Sequence, residues 1–266
     1  YPLIMGIINI TPDSFYNKSR HHSSSKINID NYNYADIIDI GCESSRPGAQ
    51  PLDENKEFTR LSNFINNNPS LKDKILSIDT YKPNIAKFAL KNGFAMINDI
   101  KSGSNNGEMI QLAASYNCPI ILMHMKGCPK TMQNNPQYDN IIDNILAFFE
   151  KKIQIAELYG IRLDNIILDP GIGFGKSVED NDAIINNLHI FKQFGCKVLI
   201  GISRKSFLSV NKDEPKDRLT ASIGVSAILM QHGVDIIRTH DMYETYKLKT
   251  IISRLNNNQY ANNLYN

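Results

Sequence analysis

Eight short runs rich in Ile, Leu and Met recur along this chain, and each gives way to something polar at its C-terminal end. They are Leu3–Asn9, Asp36–Gly41, Ile75–Asp79, Ala95–Asn98, Pro119–His124, Asn165–Asp169, Lys197–Ile202 and Asp235–Thr239. The runs are mostly continuous and apolar, as strands buried on both faces are, and most are followed by a helix-like segment. Asp53–Asn67 places Phe58, Leu61, Phe64 and Ile65 on one predicted helical face. Pro83–Asn92 carries Pro in its first turn and stops at Gly93, Asn140–Tyr159 stops at Gly160, and Arg218–His232 stops at Gly233. No linker divides the 266 residues, and an α/β barrel is typically about 250 residues long. The expectation is therefore α/β: one (β/α)8 TIM barrel over residues 1–266, with a doubly wound sheet as the alternative. One unit fits poorly. Between Phe15 and Ala35 the chain is mostly polar, so a short helix, a long loop or missing residues all remain open there.

Bulk properties remove several function classes. A formal charge of +2 with no Lys/Arg block does not suit a nucleic-acid binder. No apolar run approaches the roughly 18 residues of a membrane span, and no signal peptide opens the chain. Cys42, Cys118, Cys128 and Cys196 are scattered without a C-x-x-C pair, which reads as reduced thiols in a cytoplasmic protein. The chain begins at Tyr1 rather than Met, so a segment of a longer polypeptide is an open reading.

The stretch Leu168 to Ser177 imitates a phosphate-binding loop, ending in Gly175-Lys176-Ser177. The required first glycine falls on Pro170, which has no N–H to offer a phosphate. The dinucleotide fingerprint fails as well, because position 176 is Lys. There is no H-E-x-x-H, no zinc spacing, and Ser203 lacks the glycine at 205 that a G-x-S-x-G nucleophile needs.

What remains is the convergence of strand ends. Asn9, Cys42-Glu43, Asp79, Asn98-Asp99, His124, Asp169, Ser203-Arg204-Lys205 and Arg238-Thr239-His240 would meet at one mouth of a barrel, where active sites are built. Asp79, Asn98, Asp169 and Lys205 can read the donor and acceptor edge of a flat heterocycle, since a carboxylate accepts two parallel N–H bonds and an ammonium donates to a carbonyl or ring nitrogen. Asp79 followed by Thr80 also reads as a cap of the next helix, and His124 as a packed strand histidine. Arg238 and His240, two apart, face one side of a strand and with Asn9 could hold a pyrophosphate, directly or through a divalent ion. Thr11–Phe15 and Ser44–Ala49 combine Pro or Gly with polar groups beside that mouth, as lid loops do.

These residues resemble those of the dihydropteroate synthase family. The matches are Met5 to Phe15, Asp39-Ile40-Gly41 with Glu43 to Ala49, Ser77 to Thr80, Ile97 to Ile100, Leu122 to Met125, Leu168 to Lys176, Ser203 to Ser206 and Arg238 to Asp241, in family order along nearly the whole chain. The resemblance implies a folate-pathway transferase joining 6-hydroxymethyl-7,8-dihydropterin pyrophosphate to 4-aminobenzoate. It implies that Asp79, Asn98, Asp169 and Lys205 bind the pterin, with Met123 lining the pocket and Arg238 stacking on the ring. Asn9, Arg238 and His240 would hold pyrophosphate, with Asn9 as the metal contact and Mg2+ as cofactor. Ser45, Arg46, Pro47, Phe174 and Ser206 would form the 4-aminobenzoate site, and Asp13 and Phe15 would close over the reacting centre. A sulfonamide-binding homodimer, free or fused to another folate enzyme, is implied too. Cys42 where the family commonly has Gly, Ser45 where Thr is common, and Tyr16-Asn17-Lys18 after Phe15 depart from the pattern. A pterin-dependent methyltransferase on the same barrel, and a non-catalytic pterin-binding domain, are the competing readings.

Overall fold

A computed structural model describes residues 1–10, 27–44, 48–103, 107–127, 132 and 136–262. Eight parallel strands, β1 (Leu3–Asn9), β2 (Ile37–Gly41), β3 (Leu76–Asp79), β4 (Met96–Asp99), β5 (Ile120–Met123), β6 (Ile166–Asp169), β7 (Lys197–Gly201) and β8 (Ile236–Thr239), close into one barrel in chain order. Closure is made by β8 pairing β1, with Ile236 opposite Leu3 and Arg238 opposite Met5. The expected barrel is thus the observed one, with strand limits shifted by about a residue. Seven α-helices follow β2 to β8 among the described residues: α1 (Glu54–Asn67), α2 (Pro83–Lys91), α3 (Glu108–Tyr116), α4 (Ile141–Leu158), α5 (Val178–Asn186), α6 (Leu219–Gln231) and α7 (Met242–Asn262). After β1 the described residues supply only a single 3-10 turn, Ile29–Tyr32, whose Tyr32 is buried in the core. Tyr32 and the half-buried Ile27 and Ile29 pack into that core.

The period of two along each strand explains both the core and the site. Outward residues such as Ile4, Ile38, Ile78, Ile97, Leu122, Leu168, Ile200 and Ile237 pack with the helices in the larger core. Inward residues Met5, Ile37, Met96, Ile121, Ile167, Leu199 and Ile236 form a separate plug inside the barrel. Two residues further along each strand lie Ile7, Asp39, Asp79, Asn98, Met123, Asp169, Gly201 and Arg238. The next layer inside the barrel is therefore mostly polar, stacked directly on the apolar one.

Helix ends follow local chemistry. Asp53 caps α1, accepting from Asn55 N at 3.1 Å and Lys56 N at 3.2 Å. Ser177 and Asp180 form a reciprocal capping box at α5. Gly160 ends α4 with φ at +84°, where a side chain would be strained. The predicted inward face of α1 needs one correction: Phe58 is 44% exposed. The buried positions are Glu57, Leu61 and Phe64, spaced four and seven apart. Glu57 can take the inward place because Lys82 Nζ, at 2.5 Å, and the Thr80 hydroxyl, at 2.8 Å, satisfy its carboxylate. Phe58 instead packs against Phe88 of α2, ring centroids 4.4 Å apart. No helix among the described residues is long and apolar enough to cross a membrane.

Candidate active site

The polar layer is knitted around one guanidinium. Arg238 Nε donates to Asp39 Oδ2 at 2.7 Å, and its Nη2 donates to Asp79 Oδ2 at 2.7 Å. Asn98 Nδ2 donates to the same Asp39 oxygen at 2.9 Å. Four strands, β2, β3, β4 and β8, thus meet across the barrel through side chains alone. Burial pushes the Asp79 carboxyl upward; Arg238 opposes that shift and the neighbouring Asp39 charge reinforces it. Burial also works against the Arg238 cation, but Asp39 and Asp79 outweigh it and hold the guanidinium firmly charged. Asp79 does not cap α2. Lys82 occupies the N-cap there without a side-chain capping bond, and Thr80 serves Glu57 and the Lys82 N–H instead. Asp39, fully buried, was not among the residues expected in the site. A charge between two isoleucines in a strand otherwise apolar was the available signal.

The β6 and β7 ends supply a second pair. Asp169 is buried and accepts from Gly171 N at 2.7 Å through Oδ1. Burial raises its carboxyl above the usual range, with Lys205 the chief opposing influence. Lys205 Nζ donates to the Ile172 carbonyl at 2.5 Å and lies 4.6 Å from the centre of the Phe174 ring. Burial brings this ammonium down to about 8, Asp169 holds it up, and the Arg238 charge pushes it down. The turn that presents Phe174 is tightly made. Gly171 has φ at +69°, and a Cβ there would sit 1.9 Å from the His124 carbonyl oxygen. Lys176, buried, ties that turn to the β5 end by donating to the carbonyls of His124 at 3.2 Å and Phe174 at 3.1 Å. The glycine–lysine run that imitated a phosphate loop is therefore a brace. Gly171→Ala is expected to lower the unfolding free energy by more than about 1 kcal/mol, since both the backbone conformation and the space are denied. Chemical denaturation at equilibrium would measure it, and wild-type stability would contradict the assignment.

At the β8 end, His240 falls one residue beyond the strand that carries Arg238. Its Nδ1 lies 3.1 Å from Ser203 Oγ, which also accepts from His240 N at 3.2 Å. Arg204 holds this corner through two bonds to Asp241, at 2.9 and 2.7 Å, with both side chains buried. Arg204 adopts φ at +58°, and Ser222 Oγ accepts from its N–H at 2.9 Å. These bonds fix the turn from which Lys205 points inward. Asn9 closes β1 opposite Gly41, Met123 is buried at the end of β5, Phe174 is half-buried, and Ser206 is exposed at the start of a 3-10 turn. His124 is packed: its ring meets Phe148 edge-on at 5.1 Å, its Nε2 lies 3.1 Å from Asn144 Oδ1, and burial lowers it to about 3. Asp13, Phe15, Ser45, Arg46 and Pro47 lie outside the described residues. Flanking the last three, Lys82 Nζ bridges Glu43 and Glu57 at 2.5 Å each, and Tyr81 donates to Glu43 at 2.9 Å.

Such a mouth offers paired acceptors at Asp169, a donor at Lys205, an amide at Asn98 and a cation at Arg238. Among the described residues no group of three His, Cys, Asp or Glu side chains could hold a metal ion.

Comparison with known proteins gives a concordant picture. The family model described as "Pterin binding enzyme" matches residues 5–240. The dihydropteroate synthase of Escherichia coli K12 is 36% identical over 261 residues, covering 95% of this chain and 91% of that protein. The crystal structure of Yersinia pestis dihydropteroate synthase with a sulfonamide drug complex superimposes with a TM-score of 0.87 at 34% identity, covering 96% of this chain and 94% of the other. The Xanthomonas albilineans dihydropteroate synthase solved with 4-aminobenzoic acid gives a TM-score of 0.85 at 31% identity, over 96% and 93% of the two chains.

Proposed function

The chain belongs to the pterin-binding enzyme family, among its dihydropteroate synthases, and on that premise we propose how its barrel mouth does the chemistry. The reaction condenses 6-hydroxymethyl-7,8-dihydropterin pyrophosphate with 4-aminobenzoate, giving 7,8-dihydropteroate and pyrophosphate. The observation that carries the residue assignment is the inward, mostly polar layer containing Asp79, Asn98, Met123, Asp169 and Arg238, joined by Lys205 from the β7 loop.

The carboxylate of Asp169 accepts the adjacent 2-amino and N3–H donors of the pterin, and Lys205 donates to the adjoining edge, where O4 and N5 both accept. Asn98 and Asp79 take the remaining edge, and Met123 lines the pocket. Arg238 stacks beside the ring and, with Asn9 and His240, faces the diphosphate. Phe174 and Ser206 contribute to the 4-aminobenzoate site with Ser45, Arg46 and Pro47, while Asp13 and Phe15 close the mouth.

An aromatic amine is already a neutral nucleophile at pH 7, so the difficulty lies in breaking the carbon–oxygen bond. As that bond breaks, negative charge grows on the departing diphosphate and positive charge on the exocyclic carbon. The Arg238 cation addresses the first, and the electron-rich pterin with Asp13 the second. The substitution is therefore dissociative, and lid closure keeps water from capturing the cation. The donor set fits Mg2+ only in a particular way. Asn9 is a hard oxygen donor, and such an ion typically rides on substrate phosphates with few protein ligands. When bound it supplies further charge neutralisation to the leaving diphosphate. A cytoplasmic homodimer completes the reading, with the exposed apolar side chains of α6 and α7 (Ile228, Tyr243, Tyr246 and Ile251) as its contact face.

A coupled pyrophosphate assay run with and without 4-aminobenzoate tests the activity; release that ignores 4-aminobenzoate would refute it. Lys205 gives a pH prediction with a definite sign. Its folded-state pKa is lowered to about 8, so the ammonium donor is present below that pH and disappears above it. The pterin kcat/KM, which reports the substrate-free enzyme, is expected to fall from pH 7 to pH 9. In Lys205→Gln the profile should be flat across that window; a wild-type slope there would remove Lys205 from the pterin edge.

A further inference from the structure

Asp39 touches no substrate in the reading above, yet it decides which way Asn98 faces. Its Oδ2 accepts from Arg238 Nε at 2.7 Å, so that oxygen bears a lone pair and no proton. Asn98 approaches the same oxygen at 2.9 Å. An amide oxygen there would set lone pair against lone pair, so the amide nitrogen must be the atom facing Asp39. The Asn98 oxygen is thereby turned away from Asp39 for as long as Asp39 stays an acceptor. Asp39 is 0% exposed and Asn98 4%, so water offers neither an easy alternative partner.

The consequence follows from the three hydrogen-bonding edges of a 7,8-dihydropterin. One carries two neighbouring donors, the 2-amino group and N3–H. The second carries two acceptors, O4 and N5. The third carries the acceptor N1 beside the donor N8–H. A carboxylate matches the first and an ammonium the second. The third needs an acceptor and a donor side by side, which a primary amide supplies. Asn98 can meet N8–H with its oxygen and N1 with one N–H, spending its other N–H on Asp39. Oxidation to the aromatic pterin removes N8–H and leaves a lone pair on N8. The third edge then presents two acceptors, and an amide locked in this orientation opposes one of them.

We propose that Asp39 is a positioning residue that makes the site selective for the dihydro oxidation state of the pterin, by locking the Asn98 amide with its oxygen toward N8–H. The inference rests on the pterin reading given above and goes beyond it by naming the residue and the substrate form it selects. A site built to accept an N–H rejects an analogue that lacks it, because the facing oxygen is left without a donor.

The test compares 6-hydroxymethyl-7,8-dihydropterin with oxidised 6-hydroxymethylpterin by anaerobic calorimetry. Wild type is expected to prefer the dihydro form at least about tenfold, the worth of one hydrogen bond to a buried neutral acceptor. In Asp39→Asn the new amide can accept from Arg238 and donate to the Asn98 oxygen, turning the Asn98 NH2 group toward the ligand. The preference should then shrink to parity or invert. Asn98→Ala, which keeps Asp39, should abolish it as well. If Asp39→Asn weakens both ligands equally, Asp39 is only a brace and the proposal is overturned. Equal affinity in wild type, or an undiminished preference in Asn98→Ala, overturns it too, and these two arms decide the matter if Asp39→Asn does not fold. Failure of the functional reading would show separately, as pyrophosphate release independent of 4-aminobenzoate.

Discussion

Replacing Asp169 with Ala is expected to weaken pterin binding by on the order of a hundredfold or more. A buried ring N–H that loses a charged partner forfeits roughly 1.5–3 kcal/mol per bond, and in the proposed pose Asp169 accepts two. The loss does not stop at the ligand. Lys205 relies on Asp169 to offset burial, so without that carboxylate its ammonium would fall further below about 8 and the O4/N5 edge would lose its donor near neutral pH. Asp169 also accepts from Gly171 N at 2.7 Å, so the alanine variant loosens the turn that carries Phe174. Asp169→Asn separates these effects. Its amide oxygen can keep the Gly171 bond and its volume preserves packing, yet it offers an N–H where the ligand also has one. Calorimetry should show both variants losing pterin affinity, with a smaller fall in melting temperature for Asn. Pterin affinity at the wild-type level in either variant would remove Asp169 from the ring edge.

The barrel itself was legible because burial on both faces writes continuous apolar runs, and the number and spacing of those runs leave few closed topologies. The site was legible as polar strand ends, and that criterion has a blind spot. Asp39 sits two residues before the end of β2, flanked by Ile38 and Ile40, so a reading of ends passes over it. A reading of rows would not. Asp39 lies two residues beyond Ile37 as Asp79 lies two beyond Ser77 and Asn98 two beyond Met96, and the period of two alone puts all three on the inner face. Phe58 failed for the opposite reason. The apolar stripe placed Phe58 on the inner face, but Lys82 and Thr80 satisfy Glu57 there instead, and partners distant in sequence are invisible to a helical wheel. The Arg204–Asp241 pair belongs with it: two residues matched as motif members turn out to lock the turn carrying Lys205 and the neighbour of His240.

Arg238 carries the second large effect, and its surroundings decide how the experiment must be done. Its Nε and Nη2 are committed to Asp39 and Asp79, so the guanidinium is held in place before any substrate charge develops. Such preorganisation costs no reorientation as the carbon–oxygen bond breaks, and removing one donor of this kind typically lowers kcat by about a hundredfold to a thousandfold. Arg238→Met is expected to do so at saturating substrates. The same substitution leaves the buried Asp39 and the partly buried Asp79 without their cation, and breaking a buried pair on its own can cost about 3–5 kcal/mol of stability. A slow variant could therefore be merely a damaged one. Arg238→Lys resolves this, because an ammonium restores the charge but cannot fork between Asp39 and Asp79 as the guanidinium does. If the charge acts on the departing diphosphate, Lys should recover much of the melting temperature and only part of kcat. If Arg238 merely neutralises its two partners, stability and turnover should return together. A wild-type kcat in Arg238→Met would end its role in leaving-group departure altogether.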